Sequence, residues 1–448
     1  MNKNQIRELI SRRQFLQYGA AASAVVAVPG FFSGCALDPV TGKQQLMMVS
    51  EQQEIAIDKQ QSPFQFASDY GITQEKTINV YISSVGRQLL PHVHRPGMPY
   101  NFQCVNATYI NAYAFPGGSI AATRGILLTL DNEAQLASLL GHELGHVNAR
   151  HAAEQMSKGQ LSSLLVAGLS AVAGTQGKGL GELTQQLGAL SQGLLLSKYS
   201  RDNEREADAL GNEYMVKAGY PARGFVGLME MLDSLNKEKP GSSQILFSTH
   251  PMSSERLTAA RHREKTIYQS SNTARDNREK YMDNIAPLRA KKEGIDFLQK
   301  GEALMGKKEY DNAQKMFKTA LKTLDQDYTA HVMMAKCLML NENPSSAVTH
   351  ADLAKQLYPS QTQGYYMAGL ANVEIKQYSK AYQDFDTCDK LLPGNPQMTF
   401  FKGYCSEQQK DRKHAAANYA QYLEMIQYQP NKYSKHAYAR LKEWGYVK

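Results

Sequence analysis

No C-x-x-C pair occurs in this chain. The cysteines are Cys35, Cys104, Cys337, Cys388 and Cys405, too scattered for a structural zinc site built on thiolates. A basic stripe interleaved with aromatics is missing as well. The net charge is +8, but Lys3, Arg7, Arg12 and Arg13 against Glu8 place +3 of it in the first 34 residues, and the remaining +5 is mild for 448 residues. Nucleic acid is therefore not an expected partner. The apolar stretch Tyr18 to Phe32, and each apolar piece of the glycine-broken stretch 161–197, fall short of the length a bilayer-crossing helix needs. What remains is ordinary folded material, 42% apolar and 21% charged, long enough for two or three domains.

The N-terminus reads as an address. Asn2 to Arg13 is polar and basic, and the apolar run after it is rich in Ala and Val, the pattern of a secretory signal. Ser11-Arg12-Arg13-Gln14-Phe15-Leu16 resembles the twin-arginine export motif. Phe32-Ser33-Gly34-Cys35 resembles a lipoprotein box, in which Cys35 becomes the lipid-bearing first residue of the mature chain. Residues 1–34 are thus expected to be an export signal, with a membrane anchor at Cys35. Ala36 stands where an inner-membrane retention signal usually shows Asp, which favours the outer membrane. Outside the cytoplasm thiols can oxidise, and Cys388 and Cys405 are the pair that neighbouring helices would bring together.

Residues 133–155 read EAQLASLLGHELGHVNARHAAEQ. Leu136, Leu139, Leu140, Leu144 and Val147 recur at three- and four-residue steps, the signature of an amphipathic helix, with Asp131 and Asn132 as candidate N-caps. At about 100° per residue His142 and His146 lie roughly 40° apart, one turn above the other, so both imidazoles can reach one ion. Glu143 projects beside them. H-E-x-x-H supplies two metal ligands and a carboxylate that takes a proton from water. His151 sits about 180° from His142 by the same count. Ala149 and Ala152 replace the Gly and His that a second H-x-x-G-x-x-H segment would require, so His151 is read as a surface or supporting residue. The third ligand must come from elsewhere.

SRDNEREADALGNEYMVKAG, residues 200–219, supplies a candidate. Glu204 and Asp208 lie one helical turn apart, with Ala207, Leu210 and Tyr214 as the apolar stripe, whereas Glu206 falls about 200° from Glu204 and faces elsewhere. Glu204 suits the third metal position, leaving the fourth open. Asp208 suits the outer N–H of His142 or His146.

Together the two segments resemble the M48 family of zinc metallopeptidases, whose pattern is H-E-x-x-H followed by E-x-x-x-D. The resemblance covers about residues 38–262. Within it, Asp38-Pro39-Val40-Thr41-Gly42-Lys43 with Gln45-Leu46 resembles the first segment of its lipoprotein members. Asn111-Ala112-Tyr113-Ala114-Phe115-Pro116-Gly117-Gly118 resembles the strand and turn beside the catalytic helix, and Thr249-His250-Pro251 with Arg256 its His-Pro element. The resemblance implies one zinc ion per chain held by His142, His146 and Glu204, with Glu143 as general base and Asp208 behind the ligands. His250 and Arg256 are candidates for stabilising the oxyanion. His250 is alternatively a resting-state occupant of zinc's open position. The segments 101–106 and 112–115 read as strands, and an exposed edge there suits an extended peptide. The stretch 161–197 reads equally as a lid, a membrane-resting hairpin or a buried helical pair.

The C-terminal third repeats. Gly301, Ala335, Gly369 and Gly403 recur every 34 residues, as do Ala313, Ala347, Ala381 and Ala415. Phe317, Phe385 and Tyr419 follow four residues later, Ala351 breaks that pattern, and Pro359 and Pro393 close two units. This resembles tetratricopeptide repeats, helix pairs that bury their faces only against the next pair. The expected fold is therefore mainly α: a gluzincin-type metallopeptidase domain with a small β-sheet over residues 35–265, a polar linker over 266–293, and an α-solenoid of tetratricopeptide repeats over 294–448.

The combination resembles envelope members of the M48 family that act in outer-membrane protein assembly. The implied function is an endopeptidase for misfolded or misassembled envelope proteins in the periplasm, attached to the outer membrane as a lipoprotein. Its repeats would dock a protein partner such as the assembly machinery, or clients. The alternatives are a non-proteolytic repeat scaffold or chaperone whose zinc site is structural, and a peptidase that processes only itself.

Overall fold

The computed structural model describes residues 35–42, 44–158, 199–237 and 243–447; the expected export signal and the stretch 161–197 lie outside them. The described residues form two compact units, one of residues 35–62 and 72–292, the other of residues 63–71 and 293–447. Among the described residues no helix is long and apolar enough to cross a membrane.

The first unit opens with a hairpin of β1 (Cys35–Leu37) and β2 (Gln44–Leu46), turned by Asp38, whose carboxylate accepts from the Val40 and Thr41 amides. Helices α1 (Glu51–Ser68) and α2 (Lys76–Leu89) follow. The expected strands are present as β3 (Asn101–Val105) and β4 (Ala112–Ala114), and the Pro116-Gly117-Gly118 turn leads into a third, β5 (Ser119–Thr123). The sheet order is β3-β5-β4, with β3 parallel and β4 antiparallel to β5. This places β4 at an edge.

Helix α3 (Glu133–Asn148) is buried along its whole length. Asn132 caps it by accepting from the Gln135 amide. Glu133, buried at its first turn, is held by the Tyr81 and Tyr220 hydroxyls and the Lys280 ammonium. Helix α4 (Arg201–Lys217) begins at a capping box formed by Ser200 and Asn203, and α5 (Arg223–Lys237), α6 (Ser254–Thr266) and α7 (Arg278–Asn284) complete the unit.

Helices α3 and α4 approach along small residues. A Cβ placed on Gly211 would lie 2.6 Å from the His142 backbone nitrogen, and one on Gly145 would lie 2.8 Å from the Ala207 carbonyl oxygen. Neither helix can carry a side chain there without separating from the other. This contact fixes the distance between the H-E-x-x-H face and the Glu204 face. Gly211→Ala is expected to destabilise the fold by about 1–3 kcal/mol through overpacking and to lower bound zinc per chain, measured by denaturant unfolding and metal analysis.

The expected linker over 266–293 packs into this unit instead of standing free. Arg223 donates to the carbonyls of Asn272 and Ala274, and buried Tyr281 donates its hydroxyl to the Leu127 carbonyl at 2.6 Å. Its polar composition misled because many of those polar groups cap helix ends and pin carbonyls.

The second unit contains four helix pairs: α8 (Lys292–Gly306) with α9 (Tyr310–Ala320), α10 (Tyr328–Leu340) with α11 (Pro344–Leu357), α12 (Thr362–Glu374) with α13 (Tyr378–Leu391), and α14 (Pro396–Gln408) with α15 (Arg412–Met425). Helix α16 (Lys432–Glu443) closes the array. The repeated glycines receive rings: a Cβ on Gly301, Gly369 or Gly403 would lie 2.5, 2.6 or 2.8 Å from Phe317, Phe385 or Tyr419. The second repeat has Ala335 and Ala351 at these positions, so a larger residue on one helix goes with a smaller one on its partner. The disulfide considered between Cys388 and Cys405 is not formed; both thiols are free and buried, and Cys388 points its sulfur at the Thr362 carbonyl within its own repeat.

His350 faces His331 across α10 and α11, with their Nδ1 atoms 3.0 Å apart. Burial, together with His331 and Lys318, pushes His350 down to about 4. The unfolded chain therefore binds more protons than the folded one between that value and about 6.5, and stability rises with pH across this window. Lowering pH from about 6.5 to 4 is expected to lower the unfolding midpoint, and His350→Gln to flatten part of that dependence in thermal scans.

Candidate metal centre

Helix α3 presents His142 and His146 one turn apart on the side that meets α4, and α4 presents Glu204 and Asp208 on the side that meets α3. His142 Nε2 and His146 Nε2 are 3.1 Å apart. Glu204 lies 3.4 Å from His146 Nε2 and 3.7 Å from His142 Nε2. A fourth donor converges on them. His250 Nδ1 lies 3.1 Å from Glu204 Oε1 and 3.4 Å from His142 Nε2. All four residues are buried, and their ligand atoms fall within 4.8 Å of one another.

This donor set fits a zinc ion on geometry alone. A tetrahedron with bonds of about 2.1 Å has edges of about 3.4 Å; five separations among these residues lie between 3.1 and 3.7 Å, and all four ligand atoms lie within 4.8 Å of one another. These lone pairs crowd one point with few protons to share, an arrangement that a cation relieves. Glu143 Oε2, beside the cluster, is buried without a hydrogen-bond partner.

Each ligand is oriented from behind. His142 turns Nδ1 to Asp208 at 3.0 Å, as the spacing of Glu204 and Asp208 predicts. Asp208 receives Arg256 through two nitrogens at 2.7 and 2.6 Å, and a third guanidinium nitrogen meets Glu204 at 2.5 Å. The reading of Arg256 as an oxyanion electrophile therefore changes: its guanidinium is taken by two carboxylates. Tyr199, which the sequence reading missed, stacks on the His146 ring with centroids 3.9 Å apart. Its place directly before the Ser200 cap, where apolar residues often brace a helix start, was the available signal. The Tyr199 amide also donates to the Thr249 carbonyl at 3.1 Å, which brings the His-Pro segment alongside α4.

His151 departs from its expected position. Helix α3 ends at Asn148, and Arg150 adopts the left-handed conformation with φ 57° before helix resumes at 151–158. Counting 100° per residue across that break does not apply. Arg150 is held there by Glu54 and by the Val49 carbonyl. His151 is consequently buried, with Nδ1 2.9 Å from His146 Nδ1 and Nε2 3.2 Å from Glu206. Glu206 faces away from the Glu204 side, as its helical angle predicts, and meets His151 there.

The electrostatics divide the carboxylates. Burial raises Glu143 above the ordinary carboxylate range despite His250 and His142 nearby. Burial also opposes ionisation of Glu204, but His250, Arg256 and hydrogen bonds outweigh it and hold Glu204 well below that range. Asp208 is likewise held down against burial by Arg256. Burial drives His146 well below the usual histidine value, so the ring is neutral, as a ligand must be.

Two imidazoles set edge to face, a carboxylate from a second helix and a further buried carboxylate beside them are the arrangement of a metallopeptidase domain. Residues 77–264 match the model of Peptidase family M48. The chain is 32% identical over 202 residues to the Beta-barrel assembly-enhancing protease of Escherichia coli, a match covering 43% of this chain and 40% of that protein. It is 35% identical over 167 residues to Metalloprotease YcaL of Escherichia coli, covering 37% and 63% of the two chains. The matches thus span less than two thirds of either relative. Residues 9–29 match a twin-arginine translocation signal sequence, a mark of export from the cytoplasm. Among solved structures, the crystal structure of YrrB, a TPR protein with an unusual peptide-binding site, is similar at TM-score 0.32 and 17% identity over 49% of this chain and 92% of that one.

Removing Arg256 leaves two buried carboxylates without their shared cation. Arg256→Gln is expected to cost about 3–5 kcal/mol in metal-free protein and less in zinc-loaded protein, where the ion compensates Glu204. Chemical denaturation with and without zinc reads the difference.

Proposed function

We propose that this chain is a zinc endopeptidase of the bacterial envelope that hydrolyses misfolded or misassembled envelope proteins. The observation that carries the reading is the convergence of ligand atoms of His142, His146, Glu204 and His250 within 4.8 Å of one another, beside Glu143, whose Oε2 is buried without a hydrogen-bond partner. When bound, zinc supplies Lewis acidity toward the scissile carbonyl and toward water. His142, His146 and Glu204 hold it, and Asp208 and Arg256 keep His142 and Glu204 in place. Glu143 accepts a proton from the attacking water at its carboxylate and returns it to the leaving amine, a role that suits a carboxyl raised by burial. Strand β4 ends the three-stranded sheet of the described residues, and although its residues are buried, its edge position supports binding of an extended peptide and so of unfolded segments.

His250 occupies the corner that an attacking water needs. We read it as a resting-state stopper rather than an oxyanion donor, because its Nδ1 points at Glu204 and His142. The twin-arginine match and Cys35 support export and attachment to the outer membrane as a lipoprotein. The repeats support docking of a protein partner or client.

Unfolded casein separates the roles. Glu143→Gln is expected to keep zinc near one equivalent while losing cleavage by about 100-fold or more. His250→Ala is expected to cut faster than wild type; unchanged or slower turnover would remove the stopper role. If wild type and His250→Ala both retain zinc and leave casein and their own chain intact, the scaffold function is the correct one; cleavage of the chain alone marks a peptidase that processes only itself.

A further inference from the structure

The two imidazoles of the centre are supported differently. His142 leans on a carboxylate directly, through Asp208. His146 reaches a carboxylate only through a second imidazole: its Nδ1 is 2.9 Å from His151 Nδ1, and His151 Nε2 is 3.2 Å from Glu206. His151 is 1% exposed, whereas the Glu206 side chain is 32% exposed. Only the helix break at Arg150 permits this line-up, and Tyr199 closes it from the side with its ring centroid 6.1 Å from that of His151.

From this geometry we infer that His151 and Glu206 are positioning residues that fix the tautomer and orientation of His146 for the metal. The inference rests on the metallopeptidase reading of the site. His146 Nε2 faces the other three donors, so it must present a lone pair there and carry its proton on Nδ1. That proton needs an acceptor, and His151 Nδ1 is the atom in reach. His151 then carries its own proton on Nε2, where the Glu206 carboxylate accepts it. With His151 neutral, this set of proton positions satisfies the His146, His151 and Glu206 contacts and leaves His146 ready to ligate. A partner behind a ligating histidine typically accounts for 10- to 100-fold in metal affinity.

The test is zinc affinity of the full chain, measured by competition with a chromophoric chelator, with folding followed by circular dichroism. His151→Phe keeps the ring shape but removes the acceptor, and is expected to weaken zinc binding by about 10- to 100-fold. His151→Asn places an oxygen near the former Nδ1, keeps the acceptor, and is expected to restore most of the affinity. Glu206→Gln replaces a partly exposed group, retains the fold, and is expected to weaken binding by about threefold to tenfold. A His151→Phe chain that binds zinc within about twofold of wild type, or a His151→Asn chain as weak as His151→Phe, overturns the relay. Should His151→Phe fail to fold, Glu206→Gln decides alone: a loss of affinity supports the relay and no loss overturns it. Wild-type protein that binds no zinc overturns the metallopeptidase reading itself, which the variant comparisons leave intact.

Discussion

The close approach of two helix backbones sets every distance in the centre. Where α3 and α4 meet, Gly141, Gly145 and Gly211 bring main chain against main chain, and Ala207 contributes its carbonyl at the same seam. Side chains leaving the helices on either side of that seam then have little room to vary. His142 and His146 emerge from one, Glu204 and Asp208 from the other, and their polar atoms meet at hydrogen-bond distance. A wider crossing would leave the carboxylate short of the rings, and longer side chains would not restore the geometry because the ligands' own partners are fixed in the same core.

That core holds charge where charge is costly. Glu143, Glu204 and Asp208 are all nearly inaccessible, and an isolated carboxylate in such surroundings costs several kcal/mol. Arg256 offsets two of the three, meeting Asp208 through two nitrogens and Glu204 through another. The third, Glu143, has no such partner and is the one that burial raises. Asp208 is thus held down chiefly by Arg256 and Glu204 by His250 and Arg256 together, while burial raises Glu143. Arg256 was legible in the sequence as part of a His-Pro neighbourhood, but its role follows only from the three-dimensional arrangement.

Much of the centre was readable because helical periodicity is local. H-E-x-x-H and E-x-x-x-D each state an angle, and those angles place His142, His146, Glu204 and Asp208 without any knowledge of the fold. The 34-residue period carried the repeat unit for the same reason. Reading failed where a regular element was interrupted. His151 was assigned by an angle that the left-handed Arg150 cancels, and that conformation depends on Glu54 and Val49, about a hundred residues away in sequence. Tyr199 and the packed segment 266–292 were missed because stacking and carbonyl capping are tertiary events. The third strand escaped because its five residues, Ser119–Thr123, are small and all buried, without the polar alternation of a half-exposed strand.

The four converging donors are not equivalent in how they are held. His142, His146 and Glu204 each have a partner outside the centre: Asp208, His151 and Arg256. His250 is held more loosely: Nδ1 faces Glu204 and His142, Nε2 lies 3.9 Å from Glu143, and its ring centroid lies 5.4 Å from that of Tyr199. It follows a six-residue helix, Gln244–Thr249, joined to the start of α4 by the Tyr199–Thr249 backbone bond. The three anchored donors cannot leave without exposing buried charged or polar partners, whereas His250 can withdraw by opening a short segment, the kind of local event that costs far less than global unfolding. Under the proposed function, this asymmetry of support favours His250 as the donor that gives way to water and peptide while His142, His146 and Glu204 hold the metal.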